Sequence, residues 1–563
     1  MKKIVIYQVL PRLFGNLKNE NIKGGSIEEN GCGKFSDFTP GALKEIRNLG
    51  ISHIWYTGII EHAQVTDYSA YGIAADPEHI IKGKAGSPYA IKDYYDVDPD
   101  LAKEVNNRLM EFESLVERTH EAGMKVLIDF IPNHVARHYV SDTKPKNVKD
   151  FGEDDNVDQS FSPQNNFYYI QGESFVAPKI AGGKSVSWDE SPAKVTGNNC
   201  MVANPKETDW YETVKLNYGI NIFNGQSEYF DPIPDTWVKM KDILLYWAGK
   251  NVDGFRCDMA EMVPVQFWGW VIKEIKEKYP NIIFIAEVYR PELYETYIKK
   301  GGFDLLYDKV GMYDTLRGVV QYGSPVRTIT DAWERISKIH HQILFFTENH
   351  DEQRLASDFY AGDANKGWPA TFVSATINSN PMMIYFGQEI GERGMDEEGF
   401  SGLDGRTSIF DYWGLKNYQK WVNNKKFDGG GLDDWQKKLR DRHKKLLHFI
   451  KEDRAIHSGL FYDLMWFNKN NAHYNYDRIY SFLRYSEDSV LLVIVNFSDS
   501  ENHIRVKIPD EAFHYCKLNS SDYFQSKDLM GSKSKIQFPG QVAGKGGIGL
   551  KINPYSGCIF KIK

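Results

Sequence analysis

Three acids, an arginine and two histidines stand at the ends of four short hydrophobic runs. Residues 126–134 read Val-Leu-Ile-Asp-Phe-Ile-Pro-Asn-His, and residues 252–258 read Val-Asp-Gly-Phe-Arg-Cys-Asp. Residues 282–287 read Ile-Ile-Phe-Ile-Ala-Glu, and residues 343–351 read Ile-Leu-Phe-Phe-Thr-Glu-Asn-His-Asp. Arg256 and Asp258 are two apart, so on a strand they share one face. A guanidinium beside a carboxylate favours the ionised acid and lowers its pKa. An ionised carboxylate is a nucleophile, which is the role expected of Asp258, with Arg256 as its electrostatic partner. Glu287 is reached through an apolar run, and burial disfavours a charged carboxyl. It is expected to keep a proton near neutrality and to serve as general acid. Asp351, with His350 beside it, supplies a third acid for hydrogen bonds that strengthen in the transition state. Each motif also has a plainer reading: a structural ion pair for Arg256 and Asp258, and a satisfied core histidine for His134.

Groups like these act together only if the chain converges them. An apolar run of four to six residues reads as a strand buried on both faces, as a parallel sheet requires. Charge at its carboxyl end is costly unless that end opens into a site. Strand–helix alternation covers most of the chain and predicts a parallel α/β fold. Strands are expected at 4–8, 53–59, 125–130, 252–258, 281–287, 303–307, 342–347 and 381–386. Helices are expected at 40–49, 101–122, 236–249, 263–278, 369–377 and 435–451. From 135 to 234 the helical period disappears and Gly, Asn, Asp, Ser and Pro are frequent. A structureless loop of that length is improbable, so an inserted subdomain is expected there. After about 460, antiparallel strands at 478–485, 490–497 and 503–508 predict a small β domain that caps the barrel.

The four runs resemble, in order and type, the signature regions of the α-amylase family, glycoside hydrolase family 13. The resemblance extends from the first strand to about Gly459. It implies a (β/α)8 TIM barrel formed by residues 1–134 and 235–459, with an inserted subdomain at 135–234 after the third strand. A C-terminal antiparallel β-sandwich domain at 460–563 completes the expected architecture. It also implies a retaining glycoside hydrolase that cleaves α-1,4-glucosidic bonds of starch, glycogen or maltooligosaccharides. Asp258, Glu287 and Asp351 would be catalytic, and Tyr89, His134, Arg256 and His350 would bind substrate. A 4-α-glucanotransferase uses the same acids and is the alternative. A catalytically dead relative typically loses one acid, and all three are present here. Tyr89 opens an element, Tyr-Ala-Ile-Lys-Asp-Tyr, in which family members stack the tyrosine under the sugar being cleaved. Ala90 stands where enzymes that remove single glucoses often carry aspartate, which favours a longer chain. Many starch-cleaving members follow the nucleophile with Lys-His, where this chain has Glu261 and Met262. Calcium is common in the family, and Asn133 matches one of its ligands. The acidic run Glu153-Asp154-Asp155 with Asp158 could add oxygens. No cofactor is required by this reading.

The bulk properties are compatible with it. A chain of 563 residues suits a large barrel with appendages. Seventy-six acids against 68 bases, with no dominant basic run, argue against a nucleic-acid partner. Aromatic residues reach 14%, which suits stacking on sugar rings and equally suits a large barrel core. Five scattered cysteines (Cys32, Cys200, Cys257, Cys516 and Cys558) predict reduced thiols rather than a disulfide framework. Cys257, between Arg256 and Asp258, should face the opposite side and pack. No run is long enough to cross a membrane. The start, Met1 to Gln8, lacks the core and cleavage site of a signal peptide and reads as the first strand, so a cytoplasmic location is expected.

Overall fold

The computed structural model describes residues 3–178, 189–400 and 402–563. Met1 and Lys2, part of the segment expected to open the first strand, lie outside the described residues. So do ten positions of the long insertion, 179–188. Eight parallel strands make one sheet: β1 (Val5–Val9), β2 (His53–Tyr56), β3 (Lys125–Phe130), β4 (Gly254–Cys257), β5 (Ile283–Glu287), β6 (Leu305–Tyr307), β7 (Ile343–Leu344) and β8 (Met382–Tyr385). Neighbours follow chain order from β1 to β7, and β8 returns beside β1. A parallel bridge between Phe345 and Met382 closes the ring, leaving a (β/α)8 barrel.

Local chemistry explains most boundaries. Helix Pro40–Leu49 begins with Thr39 accepting the Ala42 N–H at 3.1 Å and ends at Gly50, whose φ of 112° few other residues tolerate. The helix expected at 101–122 starts later, at Arg108–Glu121. Upstream, Asp98 accepts the Asp100 N–H at 3.0 Å and folds Pro99–Leu101 into a separate turn. The helix expected from 369 starts earlier, at Ala364–Thr376. Asp363 caps it by accepting the Asn365 and Lys366 N–H groups at 2.8 and 3.2 Å, so Pro369 lies inside rather than at the start. Strand β7 is shorter than expected, because beyond Phe345 the chain turns off the sheet. There Glu348 is buried against Arg354, at 3.0 Å.

Alternation sorts the two faces of β4. Phe255 and Cys257 point outward, and Phe255 packs against the rings of Phe130 and Phe284 at 6.3 and 5.5 Å. Cys257 is fully buried there, as expected of a packing residue. Gly254 and Arg256 point inward. A Cβ on Gly254 would lie 2.5 Å from the Ile283 carbonyl oxygen, so the barrel interior admits only hydrogen at that position.

The insertion after β3 contains short antiparallel pairs, among them His134–Ala136 with Thr213–Lys215 and Tyr169–Ile170 with Ala193–Lys194. The C-terminal β domain is a four-stranded antiparallel sheet, Leu460–Asp463, Ile479–Tyr485, Val490–Asn496 and Ser556–Lys561, with two further antiparallel ribbons. It sits tightly on the barrel helix Ala364–Thr376: a Cβ on Gly557 would meet the Phe372 ring at 2.4 Å. Arg484 is fully buried at this junction and donates to the carbonyls of Ile377, Ala455, Ile456 and Gly459.

Candidate active site

The carboxyl ends of the barrel strands carry the groups singled out above. The register pairs Arg256 with Asp129 on β3 and with Ile285 on β5. Cys257 pairs with Ala286, so Asp258 and Glu287 leave adjacent strands side by side. Arg256 is fully buried between them. Its Nη1 donates to Asp258 Oδ1 at 2.6 Å, and its Nη2 lies 2.6 Å from Glu287 Oε1. Asp129 Oδ1 lies 3.6 Å from Nη1 and the partner Asp129 Oδ2 accepts from Trp55 Nε1 at 2.9 Å. Asp129 is thus also part of the charge cluster. The rings of Trp55, Tyr89 and Tyr307 surround the guanidinium at 5.3 to 5.4 Å.

Asp351 enters from the turn after β7. Asn349 accepts the N–H groups of Asp351 and Glu352 at 2.9 and 3.0 Å, which fixes that turn. His350 Nε2 lies 3.0 Å from Asp351 Oδ2 and 2.5 Å from the Tyr89 hydroxyl, and its Nδ1 lies 2.7 Å from Gln8 Nε2. Asp258, Glu287, Asp351, Tyr89 and His134 line one cavity of about 720 Å³. Trp210 from the insertion, Tyr289, Phe400, Phe410 and Lys82 complete its wall. The seven residues singled out from the sequence are therefore brought together, five on the cavity and Arg256 and His350 directly behind it.

Burial and the charges of Glu287 and Asp351 push the Asp258 carboxyl well above its ordinary range, against the pull of Arg256. This reverses the direction expected from Arg256 alone, because burial outweighs the guanidinium and the charges of Glu287 and Asp351 add to it. Burial also pushes Asp351 up, but His350, Arg256 and Arg406 outweigh it and leave the group below its ordinary range. Burial and Lys215 lower His134 to about 3, so it is a neutral ring at working pH. Glu287 receives an unusual number of donors. Its Oε1 accepts from the hydroxyls of Tyr289 (2.9 Å) and Tyr307 as well as facing Arg256. Its Oε2 accepts only the Met259 N–H, at 2.7 Å.

An alpha amylase catalytic-domain model matches residues 8–475, and an alpha amylase C-terminal all-beta domain model matches 470–563. The chain belongs to the alpha-amylase family of glycoside hydrolases. One relative in that family, alpha-amylase 3 of Dictyoglomus thermophilum, is 25% identical over 445 residues, covering 74% of this chain and 75% of its own. An alpha-1,4-glucan:maltose-1-phosphate maltosyltransferase of Chlorobaculum tepidum is 32% identical over 160 residues, 27% of this chain and 23% of its own. The crystal structure of an alpha-amylase from H. orenii superposes over the whole of both chains with a TM-score of 0.64 at 19% identity, a likeness of fold.

Several of the oxygens named above as possible calcium ligands are engaged with other groups. The Asn133 side-chain oxygen accepts from Lys215 Nζ, a buried cation that also donates to the Met262 carbonyl at 3.2 Å. A hard cation needs several oxygens free to converge, and an ammonium occupies this one. In the acidic run, Asp155 is used up on the N–H groups of Asn166 and Phe167 and the Tyr169 hydroxyl, and Asp154 pairs with Lys149. Among the described residues no three His, Cys, Asp or Glu side chains converge as metal ligands, and no helix is long and apolar enough to cross a membrane. The sequence reading missed Tyr289, Tyr307 and the Met259 N–H. Tyr307 was discoverable, because it ends β6 directly beside Glu287.

Proposed function

We propose that this chain is a retaining glycoside hydrolase that cleaves α-1,4-glucosidic bonds of α-glucans or maltooligosaccharides. The observation that carries the reading is the shared guanidinium: Asp258 and Glu287 each lie 2.6 Å from Arg256, on adjacent strands, with Asp351 on the same cavity. Neighbouring strands are about 4.8 Å apart, which suits the carboxyl separation of about 5–5.5 Å used in retention. Asp258 Oδ1 is held by Arg256, so Oδ2 is the oxygen free to attack. Oε1 of Glu287 is ringed by donors, so a proton on Glu287 resides on Oε2. In the first step Asp258 Oδ2 bonds to the anomeric carbon, the glycosidic C–O bond breaks, and the Oε2 proton passes to the leaving oxygen. In the second step water attacks the same carbon, Glu287 takes its proton, and the Asp258 ester bond breaks. Asp258 reacts as the carboxylate, the form that its 2.6 Å contact with Arg256 favours. Asp351 and His350 hold sugar hydroxyls, Tyr89 stacks beneath the reacting ring, and neutral His134 offers a hydroxyl ligand.

Transfer to a second sugar, as in a 4-α-glucanotransferase, uses the same groups, and the partial match to a maltosyltransferase keeps that outcome in view. Incubation with maltoheptaose tests both readings. Shorter products alone are expected of the wild type, and products longer than maltoheptaose would replace hydrolysis with transfer. Asp258→Asn is expected to lose essentially all turnover while remaining folded. Wild-type activity in that variant would overturn the assignment.

A further inference from the structure

Glu261 and Met262 follow Asp258 where many relatives have Lys-His, and the reaction steps above give Glu261 no part. Its side chain is nevertheless only 12% exposed, and one carboxylate oxygen is engaged several times. Glu261 Oε2 accepts the backbone N–H groups of Tyr289 and Arg290 at 3.2 and 3.1 Å, and Arg290 Nε at 3.4 Å. The turn that carries it is itself pinned. Tyr297 donates its hydroxyl to the Val263 and Glu261 carbonyls at 2.9 and 3.3 Å. Tyr289 in turn donates its hydroxyl to Glu287 Oε1 at 2.9 Å. The turn after β4 therefore grips Glu287 twice. Met259, held at a φ of 42°, donates its N–H directly to Oε2. Glu261 reaches Oε1 indirectly, by fixing the backbone of Tyr289.

We propose that Tyr289 is a positioning residue for Glu287, and that Glu261 acts through it by anchoring the segment after β5. Occupation of Oε1 by the Tyr289 hydroxyl leaves Oε2 to carry and deliver the proton toward the leaving glycosidic oxygen. Tyr289 lines the catalytic cavity, whereas Glu261 and Arg290 line another cavity of about 480 Å³. Glu261 therefore acts on Tyr289 without itself lining the catalytic cavity. The inference rests on Glu287 being the general acid.

Leaving-group dependence separates positioning of the acid from general damage. A natural glucosidic oxygen needs a proton to depart, and a fluoride does so far less. kcat/KM reports the first step alone, so it isolates this requirement. Tyr289→Phe is expected to lower kcat/KM for maltoheptaose about tenfold or more, as befits a lost bond to an ionisable group. With α-maltosyl fluoride the same variant should stay within about twofold of wild type. Glu261→Ala should reproduce the pattern, and the double variant should be no worse than Tyr289→Phe, because both act through one contact. Equal losses on both substrates, or fully additive losses, would overturn the proposal. Glu287→Gln separates this failure from failure of the underlying reading. If Glu287 is the acid, that variant loses maltoheptaose cleavage and retains turnover of the fluoride. If it loses neither, the assignment of the acid is wrong.

Discussion

Replacing Arg256 by lysine keeps the charge at the centre of the cluster and removes its shape. The guanidinium reaches Asp258 through Nη1 and Glu287 through Nη2, each at 2.6 Å. A single ammonium is a point charge on a shorter, flexible stem and cannot hold both carboxyls in a fixed fork. One of the two charge-assisted contacts must lapse, and such a contact is worth about 1.5–3 kcal/mol. If that stabilisation is expressed in the transition state, kcat falls by about 10- to 150-fold. The assay is kcat on maltoheptaose, read beside a thermal melt to show that Arg256→Lys is folded. Arg256→Met sets the other limit. It leaves Asp129, Asp258 and Glu287 buried without a counterion, a loss of about 3–5 kcal/mol. Its stability should recover as pH falls and the carboxyls take up protons. A folded Arg256→Lys with wild-type kcat would refute the reasoning, because it would show that geometry around the two acids is irrelevant.

Two further outcomes concern stability. Arg484→Met strips a buried donor from four carbonyls at the junction of the barrel and the C-terminal β domain. It should lower the melting temperature through a loss of about 2–3 kcal/mol while leaving kcat per folded molecule unchanged at low temperature; an unaltered melt would remove the junction from the stability argument. For Lys215, burial lowers the folded-state pKa to about 7, below about 10.4 in an unfolded chain. Between those values the unfolded chain binds the extra proton, so wild-type stability rises with pH by up to about 1.4 kcal/mol per unit, and below pH 7 the burial cost is full and constant. Lys215→Met has no such proton, and its stability should be flatter from pH 7 to 10 in denaturant titrations. Parallel wild-type and variant curves would contradict a lysine pKa lowered by burial.

The barrel was readable because its strands are continuous apolar runs, and the acids were readable because charge ends those runs. Asp258 and Glu287 needed only the two-residue alternation of a strand to be placed on the inward face. Boundaries slipped where a side chain competed with the periodic signal, as Asp98 and Asp363 did by folding or capping the backbone beside them. The electrostatics were harder to read. Arg256 lies two residues from Asp258 on the same strand face, and that proximity predicts a lowered carboxyl. Burial opposes it, and the charges of Glu287 and Asp351 arrive from other parts of the chain, which a pair-by-pair reading of one segment cannot sum. Tyr289 and Glu261 escaped for a related reason. Their contact joins two loops, and neither loop has a periodicity that predicts it. Lys215 lies more than eighty residues beyond Asn133, so no local pattern shows that a lysine engages the oxygen of a possible calcium ligand.

The charge imbalance of the site gives it a purpose that no single residue does. Three carboxyls, Asp129, Asp258 and Glu287, lie within 3.6 Å of one buried guanidinium, whose charge also acts on a fourth, Asp351. Such an arrangement costs folding free energy, because each ionised acid is held out of water with too little positive charge to match. The imbalance is relieved when a cation appears among them. In the proposed reaction that cation is transient: positive charge develops at the anomeric carbon as the glycosidic bond lengthens, beside Asp258 and within reach of Asp351. The protein's own dipoles are already oriented, so no reorganisation is needed at that moment. A substrate in its neutral ground state gains little from the same field. The surplus of negative charge is therefore selective for the transition state over the bound sugar, which is the condition for raising kcat rather than merely tightening binding.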